Sequence, residues 1–283
     1  MYYILILAIL ILSWSAIIIR WVGDVNPILI AFYRLLFSTI ILSPAVVYRK
    51  KISADFLKKN WKLLFTSGLF LSLHFYTWIA SLQTTSVGHS IFLESTHPLF
   101  GWLLSVIFLK EKGNKYTIIG LLLGLSGMYL IVSENFLSEI NSFKGDMLAV
   151  FSGFSFAVYL LMARKIGKKI EIFSYVFIIY GISAVILGSA AFLTHLDFTA
   201  ISAKSWLFLL LLTIGPNLTG HTILNWISRK IEIYKVNFAL LAEPVLSTIF
   251  AVYIFNEVQG WNFLAGALLV LVSIFSVFEF QKE

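Results

Sequence analysis

Ten stretches of nearly continuous apolar residues, separated by short intervals, constrain this chain more than any other feature. They run roughly over residues 2–22, 27–48, 61–81, 86–109, 116–133, 145–163, 172–194, 205–227, 235–255 and 260–279. Each is close to the ~20 residues an α-helix needs to cross the hydrocarbon layer. Only 12% of the residues are charged, whereas a soluble domain carries about 25%. The expected fold class is an all-α integral membrane protein with ten transmembrane helices and no room for a soluble domain. The opening MYYILILAILILSW lacks a basic segment and a small-residue cleavage site, so it is expected to be the first span rather than a removable signal peptide. Asn26-Pro27 reads as a cap followed by proline in the first turn of the second. The absence of cysteine excludes disulfides, thiolate metal sites and a cysteine nucleophile.

The net charge of +7 is read by position before it is read as affinity for nucleic acid, and no nucleic-acid partner is expected. Basic residues cluster after span two (Arg49, Lys50, Lys51, Lys58, Lys59, Lys62), span four (Lys110, Lys112, Lys115), span six (Arg164, Lys165, Lys168, Lys169) and span eight (Arg229, Lys230, Lys235). The opposite side has only Arg20, Lys144 and Lys204, while Lys282 lies in the C-terminal tail. Cytoplasmic loops carry the Lys/Arg excess, which places both termini in the cytoplasm of a cell-membrane protein.

A repeat lies under this pattern. LESTHPLFGWLLSVIFLKEK can be laid over ALLAEPVLSTIFAVYIFNEV, with Pro98 and Pro244, Glu111 and Glu257, and Gly120 and Gly266 each 146 residues apart. Gly68 and Gly215, and His74 and His221, are 147 apart, and Trp78 and Trp226 are 148 apart. The expected organisation is a duplication: residues 1–144 with spans one to five, and 145–283 with spans six to ten. Five is odd, so the second copy enters the membrane from the opposite side. Inverted repeats of this kind are common in secondary transporters, with the solute site near the midplane.

Four stretches carry a resemblance to a known family: FYRLLFS in span two, HFYTWIASLQTTSVGHSIFLESTHPLF across spans three and four, GPNLTGHTILNW in span eight and LAEPVLSTIFAVYIFNE in span nine. With them the chain resembles the drug/metabolite transporter (DMT) superfamily, and within it the EamA-type permeases, over essentially its whole length. The resemblance implies ten helices in two inverted halves, a central cavity built mainly from spans one, three, four, six, eight and nine, and alternating access. It does not supply a substrate.

The candidate site residues are those whose presence at bilayer depth is costly. A carboxylate there costs about 2.5 to 3.5 kcal/mol on insertion scales, and a helix proline about 3 kcal/mol or more. Glu243 and Pro244 combine the two near the middle of span nine, and Glu94, His97 and Pro98 stand at a similar depth in span four. Glu94 and Glu243 are candidates for substrate binding and proton exchange, with His97 on the face of Glu94. Pro98, Pro216 and Pro244 are candidate helix breaks, with bending to fit the bundle as the alternative for the prolines alone. Arg34 either pairs with Glu94 or receives an anionic group of the solute; the resemblance implies an arginine here in a span that is not chiefly cavity-forming. His74 and His221 occupy matched positions, with Trp78 one turn on, and join Trp14, Asn217 and Asn225 as substrate-binding candidates; core packing is the alternative for each. Glu111 and Glu257 read as caps beside the N-termini of the helices that follow them. Gly120, Gly124 and Gly127 form a small-residue stripe, used either for internal packing or for a homodimer interface.

The reading is a secondary active transporter of a small organic metabolite, amino-acid-like or amphipathic and zwitterionic or cationic, coupled to protons, with export one direction the residues allow. No cofactor or metal is expected, and no P-loop is present for ATP. An intramembrane enzyme is one alternative, though neither HExxH nor a rhomboid-like GxSG is found; a passive channel is the other.

Overall fold

The computed structural model describes residues 1–49, 52–133, 142–256 and 259–279. Among these, ten helices are long and apolar enough to cross a membrane: Tyr2–Val22, Pro27–Tyr48, Ala54–Thr84, Val87–Leu109, Lys115–Ser133, Phe143–Lys169, Ile172–Leu193, Ala203–Ser228, Ile233–Phe255 and Trp261–Glu279, here spans one to ten. Helix is what such sequences form in lipid, because every backbone N–H and C=O must be satisfied within its own segment. Span three starts earlier than its apolar run. Its first turns are polar and carry an exposed Asp55–Lys59 ion pair of 3.0 Å at i,i+4 spacing, which extends the helix beyond the hydrocarbon.

Four spans are interrupted. Span one is divided into Tyr2–Leu12 and Ser15–Val22. In span four the helices Val87–Glu94 and His97–Leu109 meet across Ser95-Thr96, and Pro98 sits in the first turn of the second, where a missing N–H costs nothing. Span nine breaks at Leu241, between Ile233–Leu240 and Ala242–Phe255. Span eight passes through a π-helical stretch, Thr213–His221, that takes up Pro216 by a wider turn. All three candidate prolines lie in or directly after an interruption.

The chain forms two compact units, each drawn from distant parts of the sequence. Unit one comprises Met1–Tyr76 and Met162–Lys230, and unit two comprises Thr77–Leu161 and Ile231–Glu283. The division falls inside spans three and six. In unit one, span two packs along span seven and span one along span eight. Ser183 Oγ donates to the carbonyls of Gly68 and Ile179 at 2.6 and 2.8 Å, tying span seven to span three. In unit two, spans five and ten form the tightest pair around Leu121, Met128, Phe238, Val270 and Val277. A Cβ at Gly127 would stand 2.7 Å from the carbonyl oxygen of Gly266, so this crossing needs glycine. Ser273 Oγ donates to Gly120 O at 2.6 Å alongside. The glycine stripe of span five is thus occupied by packing within the chain.

Candidate functional site

Several of the residues singled out in the sequence form two clusters, one in each unit. The cluster of unit two forms where spans four and nine break. Glu94 ends the first helix of span four, and His97 begins the second. Glu243 is the second residue of Ala242–Phe255, where a carboxylate meets the positive end of the helix dipole. Both glutamates are half-buried and near enough for a direct Coulombic interaction. His97 is buried; its Nδ1 lies 3.0 Å from Oδ1 of Asn237, and its ring meets Phe156 edge-on at 5.4 Å. Two acids within electrostatic reach of each other, with His97 directly after the break of span four, gather acceptor groups where these helices are interrupted. Asn237 was not among the expected residues. Its signal was available, since it is a lone amide in the apolar run of span nine.

The cluster of unit one centres on Arg34, which has no exposed surface. Its guanidinium carbon lies 3.8 Å above the Phe75 ring, a cation–π contact strengthened by burial. The same ring stands 4.9 Å edge-on from His221 and 5.1 Å from His74, and the two imidazoles are 6.4 Å apart. Asn217 Nδ2 donates to Ser38 Oγ at 2.7 Å and to Arg34 O at 3.3 Å, while Tyr180 Oη donates to Asn217 O at 3.2 Å. Asn225 Nδ2 donates to His221 O at 2.7 Å. His74, His221, Asn217 and Arg34 are therefore brought together. Tyr180, 146 residues after Arg34, belongs to the same group and lies within Coulombic reach of that arginine.

Trp14 is 37% exposed and lines an apolar groove of about 400 Å³ with Ile11, Ile18, Trp21 and Pro216. Trp78 is half-buried in unit two, and Trp226 is covered by the Lys230 ammonium, 3.2 Å from its ring centroid. Glu111 caps a helix: its Oε2 accepts from the N–H of Ile233 at 3.0 Å, at the start of span nine. Glu257 lies outside the described residues.

A further polar group was not anticipated. Asp146, at the start of span six, accepts from Thr85 Oγ1 at 2.7 Å and lies 3.2 Å from Nδ1 of His89. It ties the end of span three and the start of span four to span six. In unit one, the Arg229 guanidinium donates to the carbonyls of Gly167 and Ile170 and covers the Tyr175 ring. Burial pulls its pKa below the usual arginine value. Among the described residues, no three of His, Cys, Asp and Glu converge as a metal-binding set.

Comparison with known proteins gives this geometry its context. The chain is 24% identical over 286 residues to solute carrier family 35 member G1 of Mus musculus, covering 95% of this chain and 75% of that protein. It is 26% identical to the uncharacterized transporter YoaV of Bacillus subtilis, covering 93% and 91%. It is 25% identical to an S-adenosylmethionine uptake transporter of Rickettsia bellii, covering 90% and 84%. A protein crystal structure superposes with a TM-score of 0.83 over 99% of this chain and 96% of the other at 17% identity, a likeness of fold. The sequence pattern of the EamA-like transporter family matches residues 1–133 and 143–278, nearly the whole chain. This multi-pass membrane protein is a member of the EamA-like transporter family, a family of transporters and not of enzymes.

Proposed function

We propose that the chain is a secondary active transporter that moves a small organic cation or zwitterion across the cell membrane by alternating access, exchanging protons at Glu94 and Glu243. The observation that carries this reading is that Glu94 and Glu243, at the breaks of spans four and nine, lie within electrostatic reach of each other, with His97 opening the second helix of span four. Charge at such depth is costly unless it serves a solute or ion pathway. A protonated carboxyl removes that cost, and solute binding or proton binding then become alternative ways of neutralising the same pair. An amino-acid-like solute fits. So does S-adenosylmethionine, which joins an amino-acid end to a sulfonium cation and which one relative is named for transporting.

Inverted repeats over 1–144 and 145–283 belong to the same proposal. Two features support it. The family pattern matches in two stretches that divide near residue 144. The helices before the two breaks also end 146 residues apart, at Glu94 and Leu240, the spacing of Pro98 and Pro244. The distribution of Lys and Arg supports cytoplasmic termini.

The test is counterflow in liposomes preloaded with pooled amino acids and S-adenosylmethionine. A carrier shows saturable uptake stimulated by solute on the far side. Flux that neither saturates nor exchanges would identify a channel instead.

A further inference from the structure

Asn237 decides which nitrogen of His97 carries the proton. It lies fully buried in the first helix of span nine, and its Nδ2 donates to the carbonyl of Ile233 at 2.9 Å. A carbonyl can only accept, so this bond fixes the orientation of the amide: Nδ2 toward Ile233 and Oδ1 toward the imidazole. Oδ1 can itself only accept. The nitrogen facing it at 3.0 Å, Nδ1 of His97, must therefore be the one bearing hydrogen. A neutral imidazole has a single N–H, which leaves Nε2 with its lone pair. Among the described residues no hydrogen bond engages Nε2.

The amide is also held from the side. A Cβ at Gly101, in the second helix of span four, would lie 2.6 Å from Asn237 Nδ2, so the span four backbone packs directly against it. Rotation of the amide would turn Nδ2 toward an N–H and Oδ1 toward a carbonyl, losing both bonds.

We propose that Asn237 is a positioning residue that locks His97 in the Nδ1–H form, so that Nε2 joins Glu94 and Glu243 as a third acceptor and the site selects organic cations bearing N–H donors. A purely anionic solute is repelled by the two carboxylates there. A quaternary ammonium carries the charge but leaves Nε2 unanswered, and an unmet polar group in a closed site discriminates strongly. The solute half of this proposal rests on the functional reading above; the tautomer does not.

The experiment is 15N NMR of histidine-labelled protein in lipid nanodiscs, with the His97 signals assigned by their loss in His97→Gln. The expected wild-type ring has Nδ1 protonated and Nε2 unprotonated. Asn237→Leu, which removes the acceptor, and Gly101→Ala, which displaces it, are expected to release the ring to a mixture of tautomers. Protonation of Nε2 in the wild type, alone or together with Nδ1, overturns the lock, and this spectrum decides the matter even if both variants fail to fold. An unchanged tautomer in folded Asn237→Leu also overturns it. For the solute, hexylammonium is expected to shift the Nε2 signal, and hexyltrimethylammonium at the same concentration is not. A shift with both, or with neither, overturns the selection for N–H donors. Absent counterflow with the tautomer intact counts against the transport reading alone.

Discussion

His74 and His221, 147 residues apart in the chain, bring their rings to within 6.4 Å inside one compact unit, with Phe75 in contact with both. Phe75 also supports the guanidinium of Arg34, so a single ring connects a membrane-embedded cation to two imidazoles. Phe75→Leu removes the π face while keeping an apolar side chain. A desolvated cation–π contact is worth about 2 kcal/mol or more, and the variant should lose at least that much stability, while Phe75→Tyr should lose much less. Denaturant unfolding in detergent followed by tryptophan fluorescence checks the order of the two variants.

The Gly127–Gly266 crossing makes a second prediction. A methyl group at either position meets the backbone of the other helix, which cannot rotate out of the way. Gly127→Ala and Gly266→Ala should each cost about 1 to 3 kcal/mol through overpacking. Once one methyl has forced spans five and ten apart, a second adds less, so the double variant should fall short of the sum. Melting temperatures of the three proteins in one lipid system test this.

Glu111 links the end of span four to the start of span nine through the Ile233 N–H. Glu111→Ala should destabilise by about 0.5 to 2 kcal/mol, the range for losing a helix cap. Glu111→Gln keeps an acceptor and should recover most of that loss. Solute specificity should be unchanged in both, because this carboxylate serves a helix end; a shift in substrate preference measured by counterflow would contradict the assignment.

Asp146 should be less replaceable. Asp146→Ala leaves both the Thr85 hydroxyl and His89 Nδ1 without their acceptor, at about 1 to 3 kcal/mol for each buried group left unpaired. Thr85→Ala in the same background should then add little, because the bond it would remove is already gone. A double-mutant cycle of thermal stability measures that coupling.

How much of this was legible beforehand depended on the physical reach of each signal. The ten spans were readable because lipid leaves a long apolar run one option, and the breaks near Pro98, Pro216 and Pro244 because proline removes a backbone donor. The meeting of His74 with His221 was anticipated only as a matched position, and the structure supplies the contact. The pairings of Asn237 and Asp146 were not legible, for a different reason. Their partners lie 140 and 57 residues away, and no local periodicity reports such pairings. Trp14 shows the converse: an aromatic in a span looks alike in sequence whether it lines a polar cluster or, as here, an apolar groove.

In the proposed mechanism, Glu94 and Glu243 carry the proton that drives solute movement. Its most direct measurement is proton flux, read with a pH-sensitive dye inside liposomes, on addition of the solute that counterflow identifies. Wild-type protein should move protons with the solute, Glu94→Gln and Glu243→Gln should each abolish that proton movement, and solute exchange without a pH gradient should survive in at least one of them. Proton flux at wild-type level in both variants would contradict the account.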